Sequence, residues 1–255
     1  MDYNLRPLWD AILDLYERFD AYCKKHGLRY YVTGGTLLGA VRHNGFIPWD
    51  DDFDVVMPRP DYKKLVEGFA TDGITDARIL TWKSVEEWGQ LFAKICETRT
   101  DVIARVQKAS RLKLSDGICI DVIPIDGMPK ATIPFYYWAL KRSTWRHKES
   151  KSLIWRLLFS LLWDKEESSV AGFERWLASY DYDSSPCVED YNANGRRFKL
   201  RALDAKSFGA PIMHEFDRVS VPMPREYEKF LEIIFGNNYM QLPPLERRKP
   251  SHQIA

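Results

Sequence analysis

Residues 34–54 read Gly34-Gly35-Thr36-Leu37-Leu38-Gly39-Ala40-Val41-Arg42-His43-Asn44-Gly45-Phe46-Ile47-Pro48-Trp49-Asp50-Asp51-Asp52-Phe53-Asp54. A glycine pair opens the stretch and an acidic cluster closes it, just before the apolar run Val55-Val56-Met57. Ahead of the glycines, Leu28 to Thr33 is rich in Tyr and Val and reads as a strand. Thr36 to His43 reads as a short helix closed by Asn44-Gly45, and about Ile47 to Met57 as a second strand ending at Pro58. A glycine turn between strand and helix lets backbone approach backbone and aims free N–H groups at the helix start, which suits a phosphate. The turn is not a Walker loop. Gly34 to Gly39 has the spacing, but Ala40-Val41 stands where Lys-Ser/Thr is required.

The acids carry more information than the glycines. Side chains alternate on a strand, so Asp50, Asp52 and Asp54 are expected on one face and Asp51 and Phe53 on the other. Three carboxylates on one face repel each other unless a divalent cation reverses the sign of the interaction. Hard oxygen ligands point to Mg²⁺ or Mn²⁺ rather than zinc; the alternative is a solvated acidic turn. A third acid comes from Gly117 to Ile125, where Ile118-Cys119-Ile120-Asp121-Val122-Ile123 reads as a strand covered on both faces. A carboxylate in such a run must be compensated. Glycine N–H groups, two acids on one strand and a third on another are the equipment of two-metal phosphoryl or nucleotidyl transfer.

Working outward, Leu8, Ile12, Leu15, Phe19 and Tyr22 recur at steps of three and four, marking an amphipathic helix that Gly27 stops. Asp61 to Ala70 is expected as a helix and Leu91 to Ile95 as a strand. Asp181 to Asp190 reads as a polar loop, Ile212 to Val221 as a strand, and Arg225 to Phe235 as a helix ended by Gly236. The chain has 255 residues, 45% of them hydrophobic and 29% charged, ordinary values for a globular protein. A net charge of +1 supplies no global basic field, so nucleic acid is not an expected partner. The four cysteines form no C-x-x-C pair and read as free buried thiols of a reducing compartment. With no apolar h-region at the N-terminus, a cytoplasmic location is expected.

Ile133 to Trp163 differs in character, with six Lys or Arg, one Glu and eight aromatic residues. Its uncharged run Leu157 to Trp163 is far too short to cross a membrane. Two readings stand: a basic, Trp-rich helix pair lying on an anionic membrane surface, or a helix packed in the core.

The run from Tyr31 through Asp54 resembles the signature of the LicD family, which includes fukutin and the fukutin-related protein. Further similarity lies at Met57-Pro58-Arg59 with Asp61-Tyr62, at Lys94-Ile95, and at Ile120-Asp121-Val122-Ile123-Pro124-Ile125-Asp126-Gly127. Val221-Pro222, Phe235-Gly236-Asn237-Asn238-Tyr239-Met240 and Leu242-Pro243-Pro244 resemble the family's closing motif. The resemblance implies an α/β fold of nucleotidyltransferase type, a mixed sheet flanked by helices, with an added helical, aromatic-rich region. It implies one domain over 1–255, with a catalytic core at about 26–130, an aromatic and basic insert at about 131–180, and a C-terminal strand–helix segment at about 191–255. The activity implied is Mg²⁺-dependent transfer of phosphocholine, or a related phospho-alcohol, from a CDP-linked donor, with CDP-choline favoured. The acceptor is a sugar of a lipid-linked or polymeric surface glycan, such as a teichoic acid or lipopolysaccharide, and CMP leaves. Asp52, Asp54 and Asp121 take the catalytic and metal-ligand roles, and Gly34, Gly35 and Thr36 contact the donor phosphates.

Four further residues are weighed singly. Arg42 offsets phosphate charge or is a solvated helix residue, and Lys94 stands in the same position. Trp49 faces a choline methyl cluster by cation–π contact or is a packing residue. Asp126 is a turn residue before Gly127 or an outer partner of the site. Two rival functions remain: nucleotidyl transfer with pyrophosphate release, and a non-catalytic membrane-surface module built on residues 133–163.

Overall fold

The computed structural model describes residues 4–81, 84, 92–114, 117–128, 174–175, 177–190 and 203–251. The chain opens with α1 (Arg6–His26), whose Leu8, Ile12, Leu15 and Phe19 are each at most 1% exposed. Lys24, Lys25 and His26 complement the helix dipole in the last turn, and Gly27 ends the helix in the left-handed region at φ 62°.

Among the described residues, seven strands form one mixed sheet. β1 (Tyr31–Val32) pairs antiparallel with β2 (Asp54–Pro58), which runs parallel to β5 (Cys119–Met128). On its other edge β5 pairs antiparallel with β4 (Ala93–Glu97), followed by β3 (Ala77–Leu80). The second half of β5 also pairs with β6 (Cys187–Asp190), and β6 with β7 (Leu203–Asp204). Helices α2 (Gly34–His43), α3 (Arg59–Gly68) and α4 (Thr100–Ser110) complete the central part. The mixed sheet flanked by helices is the fold class anticipated for a nucleotidyltransferase-type domain.

Several elements differ from expectation. The first strand shrinks to Tyr31–Val32, and the second begins only at Asp54 because Ile47 to Asp50 close a turn (Asp50 N–H to Ile47 C=O, 2.8 Å). The polar loop at 181–190 ends in β6, recruited by β5. Ile212 to Val221 is a hairpin of β8 (Ile212–Phe216) and β9 (Val219–Met223), turned at Asp217 with φ 54°. The helix expected from Arg225 is α5 (Tyr227–Phe235). Asp126 is no turn residue: it lies within β5, fully buried, with both carboxylate oxygens on Arg59 at 2.6 and 2.7 Å.

The expectation of four free thiols is also corrected. The β4–β5 register sets Cys96 directly opposite Cys119, with Cα atoms 4.1 Å apart, and the two form a disulfide. Cys23 and Cys187 are free and buried. The aromatic stretch 133–163, with its membrane or core readings, lies outside the described residues, as does most of the insert at 131–180. Among the described residues, no helix is long and apolar enough to cross a membrane.

An aromatic cluster anchors the chain just before β2. Phe46 stacks on Trp9 at 5.2 Å and meets Phe216 edge-on at 4.9 Å, while Phe53 packs on Tyr16 at 5.0 Å. Each buried Phe contributes roughly 1.5–3 kcal/mol, and each ring pair about 0.5–1.5 kcal/mol more. Trp9 also donates its indole N–H to the Asp50 carbonyl at 2.8 Å. The cluster thereby holds the acidic turn between two buried phenylalanines.

Candidate active site

The start of α2 and the start of β2 are clamped together. Thr33 donates its N–H to the Asp54 carbonyl at 3.1 Å, and the Thr36 hydroxyl accepts the Asp54 N–H at 2.8 Å. Leu37 and Ala40, both wholly buried, seat the helix on the core. Gly34 adopts φ 54°, a conformation that disfavours any side chain. Space is as decisive as backbone freedom. A Cβ at Gly34 would lie 3.0 Å from Asp54 Oδ2, and one at Gly35 only 2.3 Å from Asp50 Oδ2. The glycine pair is therefore the floor on which two carboxylates rest.

Within the turn, one carboxylate oxygen from each of Asp50, Asp51 and Asp52 lies within 4.8 Å of the others. Asp51 is 3% exposed and accepts the Ser251 N–H at 2.9 Å, while the exposed Asp52 receives the Ser251 hydroxyl at 3.4 Å. Burial, then the charges of Asp52 and Asp51, push the Asp50 carboxyl up to about 7. Such a cluster binds a proton or a cation to relieve its own repulsion.

Strand register supplies the rest. Asp54 on β2 is the partner of Asp121 on β5, and Asp121 is in turn the partner of Lys94 on β4. The three side chains form one row on one face of the sheet, with the Cys96–Cys119 bridge as the next row on β4 and β5. Lys94 Nζ lies 3.4 Å from Asp121 Oδ1, which answers the need for compensation of a charge in an apolar strand. Asp51, Asp52, Lys94 and Asp121 line one small cleft beside Leu8 and Ile12 of α1.

The expected residues thus gather, with changes in detail. Gly34, Gly35, Asp54, Asp121 and Lys94 meet through the helix start and the strand register, and Asp52 shares the cleft with Asp121 and Lys94. Among the described residues the three carboxylates that converge within 4.8 Å are Asp50, Asp51 and Asp52, rather than Asp52, Asp54 and Asp121. Strand alternation does not separate Asp51 from its neighbours because residues 50–53 precede β2. The Thr36 hydroxyl is turned to the backbone of Asp54 and positions it. Arg42 is not a solvated helix residue; it donates to the carbonyls of Tyr239 (2.9 Å) and Gln241 (3.2 Å). Trp49 is half-buried against the core with Arg248 over its ring, 5.4 Å from the centroid. The contacts of Ser251 and Arg248 lie about 200 positions from their partners, and sequence spacing carries no trace of them.

A donor set of carboxylate oxygens alone suits a hard cation rather than a thiophilic metal.

Comparison with known proteins agrees with this geometry. The model of the LicD/FKTN/FKRP nucleotidyltransferase domain matches residues 27–108. The lipopolysaccharide cholinephosphotransferase LicD of Haemophilus influenzae is 26% identical over 270 residues, covering 98% of this chain and 96% of that protein. The ribitol 5-phosphate transferase FKRP of Homo sapiens is 36% identical over 63 residues, 24% of this chain and 13% of that protein. Through the nucleotidyltransferase-domain match at residues 27–108 and the similarity to LicD along nearly its whole length, the chain is similar to proteins of the LicD family.

Proposed function

We propose that this protein transfers phosphocholine, or a related phospho-alcohol, from a CDP-linked donor to a sugar hydroxyl of a surface-glycan precursor, releasing CMP. The observation that carries the reading is the row Asp54–Asp121–Lys94, set by strand register beside the acidic turn and the glycine pair. Similarity to the lipopolysaccharide cholinephosphotransferase LicD of Haemophilus influenzae supports phosphocholine as the favoured group. The acceptor is lipid-linked or polymeric and is met at the cytoplasmic face of the membrane.

Asp52, Asp54 and Asp121, with Asp50 and Asp51 adjoining, would hold Mg²⁺ or Mn²⁺. When bound, the cation supplies positive charge against the donor phosphates. The chain's own residues do the remaining work. Gly34 and Gly35 keep the helix start clear of side chains, and Thr36 fixes the backbone of Asp54. Lys94 faces Asp121 and adds a cation at the cleft where charge develops. In the reaction, the acceptor oxygen attacks the phosphorus bearing the alcohol. The bond from that phosphorus to the bridging oxygen breaks, CMP departs with that oxygen, and the hydroxyl proton passes to the Asp121 carboxylate.

The test is thermal stabilisation by CDP-choline, CDP-glycerol, CDP-ribitol, CTP and ATP, each with and without Mg²⁺, on wild type and Asp54→Asn. A ligand at about 100 times its Kd adds roughly 2.7 kcal/mol, a readily measured shift. Mg²⁺-dependent stabilisation by one CDP-alcohol, lost in Asp54→Asn, is expected. Stabilisation by CTP or ATP alone would favour nucleotidyl transfer, and no response across the panel would return the binding-module reading.

A further inference from the structure

We infer that Arg248, seated on Trp49, joins Arg42 in an anion-binding wall beside the acidic turn, and that Arg248 contacts a phosphate of the nucleotide donor. The inference rests on the reading of the chain as a CDP-donor transferase and adds a substrate-positioning residue to it.

The two guanidinium groups are held by one short stretch of the C-terminal segment. Arg42 donates to the carbonyls of Tyr239 and Gln241, and Arg248 Nε donates to the Pro243 carbonyl at 2.7 Å. Trp49 lies between their elements, with Arg248 over its ring at 5.4 Å and His43 edge-on at 6.4 Å. Among the described residues neither arginine meets a carboxylate. Six other arginines, Arg6, Arg18, Arg29, Arg59, Arg99 and Arg218, each form an ion pair. Burial and the charge of Arg248 both lower the Arg42 pKa, as expected for two cations placed close together. Pinning like charges together costs free energy that an arriving anion returns.

Chemistry and place identify the anion. A guanidinium is a planar fork matched to phosphate oxygens, and the carbonyl contact uses only the Nε of Arg248. Three residues beyond Arg248, the Ser251 N–H is bonded to Asp51, and Trp49 directly precedes Asp50. The cationic wall therefore abuts the acidic turn. A nucleoside diphosphate meets cation-binding carboxylates and guanidinium groups together, whereas a neutral sugar brings no charge to match the guanidinium pair. One face of Trp49, open to choline in the sequence reading, carries the chain's own cation.

The test is calorimetric titration of CDP and of cytidine, with and without Mg²⁺, into wild type, Arg42→Gln, Arg248→Gln and Arg248→Lys, together with the ligand-free Tm of each. Losing a charged hydrogen bond to phosphate should weaken CDP binding by about tenfold or more in Arg248→Gln while cytidine binding stays unchanged. Arg248→Lys retains charge and folding but loses the fork, and should fall between the two. A purely structural Arg248 would lower Tm and leave the ratio of CDP to cytidine affinity unmoved, which overturns the inference. Tighter CDP binding in Arg248→Gln overturns it too, because the tail would then be a plug. If Arg248→Gln does not fold, Arg248→Lys decides: CDP affinity equal to wild type overturns the inference, and a several-fold loss supports it. Wild type that binds no CDP under either condition contradicts the transferase reading itself. Binding by wild type that Arg248→Gln matches sinks only the present inference.

Discussion

The two ends of the β2–β5 pair handle charge in opposite ways. At one end Arg59, just after β2, meets Asp126 of β5 through two short hydrogen bonds, with side chains 3% and 0% exposed. At the other end Asp54 opens β2 beside Asp121, whose side chain is 24% exposed and lies 3.4 Å from Lys94 Nζ. Asp121 and Asp126 lie five positions apart on one strand, so they project from opposite faces. The buried pair is matched in charge and in geometry, which leaves no room for a ligand and makes it part of the scaffold. The acidic end gathers Asp50, Asp51 and Asp52 within 4.8 Å of one another beside the Asp54–Asp121 register pair, a concentration of like charge that suits a cation.

This contrast can be tested by substitution at each end. Asp54→Asn and Asp121→Asn should lower CMP release by about a hundredfold or more, as expected for removal of electrostatic stabilisation in a polar transition state. Both variants should unfold near the wild-type temperature, and a large loss of stability in either would erase the distinction between the two ends. Asp126→Ala should do the reverse. It leaves Arg59 buried without its main partner and should cost about 3–5 kcal/mol in urea unfolding, with little change in the specific activity of the folded fraction.

A smaller effect sharpens the picture on the active face. Reducing the Cys96–Cys119 bridge should remove about 2–4 kcal/mol of stability. The shift in thermal midpoint with dithiothreitol should vanish in a Cys96→Ser/Cys119→Ser double variant. Smallest is the effect of Glu97, buried at the end of β4. Burial alone would raise its carboxyl, but hydrogen bonds from Arg99 and Arg18 hold it down to about 2, against an ordinary 4.5. A depressed carboxyl contributes stability above its unfolded pKa and loses it as pH falls through the folded value. The stability difference between wild type and Glu97→Gln should therefore be constant above pH ~5 and shrink steadily toward pH ~2, as followed by thermal melts.

The glycine–acid segment was legible because its logic is local. A glycine pair before a helix and carboxylates before an apolar strand point to a phosphate and a cation without any knowledge of the sheet. The partnership of Asp54 with Asp121 was legible only as a juxtaposition, since register between strands 67 positions apart depends on the whole sheet. The same limit hid the Cys96–Cys119 bridge, which arises only once β4 lies antiparallel to β5, and with it the cysteine argument for a reducing compartment lapses. Strand alternation was applied too early at Asp50 because Trp9 and Phe46 hold a turn there. Arg248 and Ser251 were invisible for a different reason: a polar tail carries no periodicity to mark where it docks.

The most direct test of the central claim is phosphorus NMR of CDP-choline incubated with Mg²⁺, the purified protein and an acceptor glycan, run beside Asp54→Asn. The account predicts stoichiometric CMP with a new phosphodiester in the wild-type reaction and neither product in the variant. Pyrophosphate from CTP in place of CMP, or full CMP release by a folded Asp54→Asn, would contradict it.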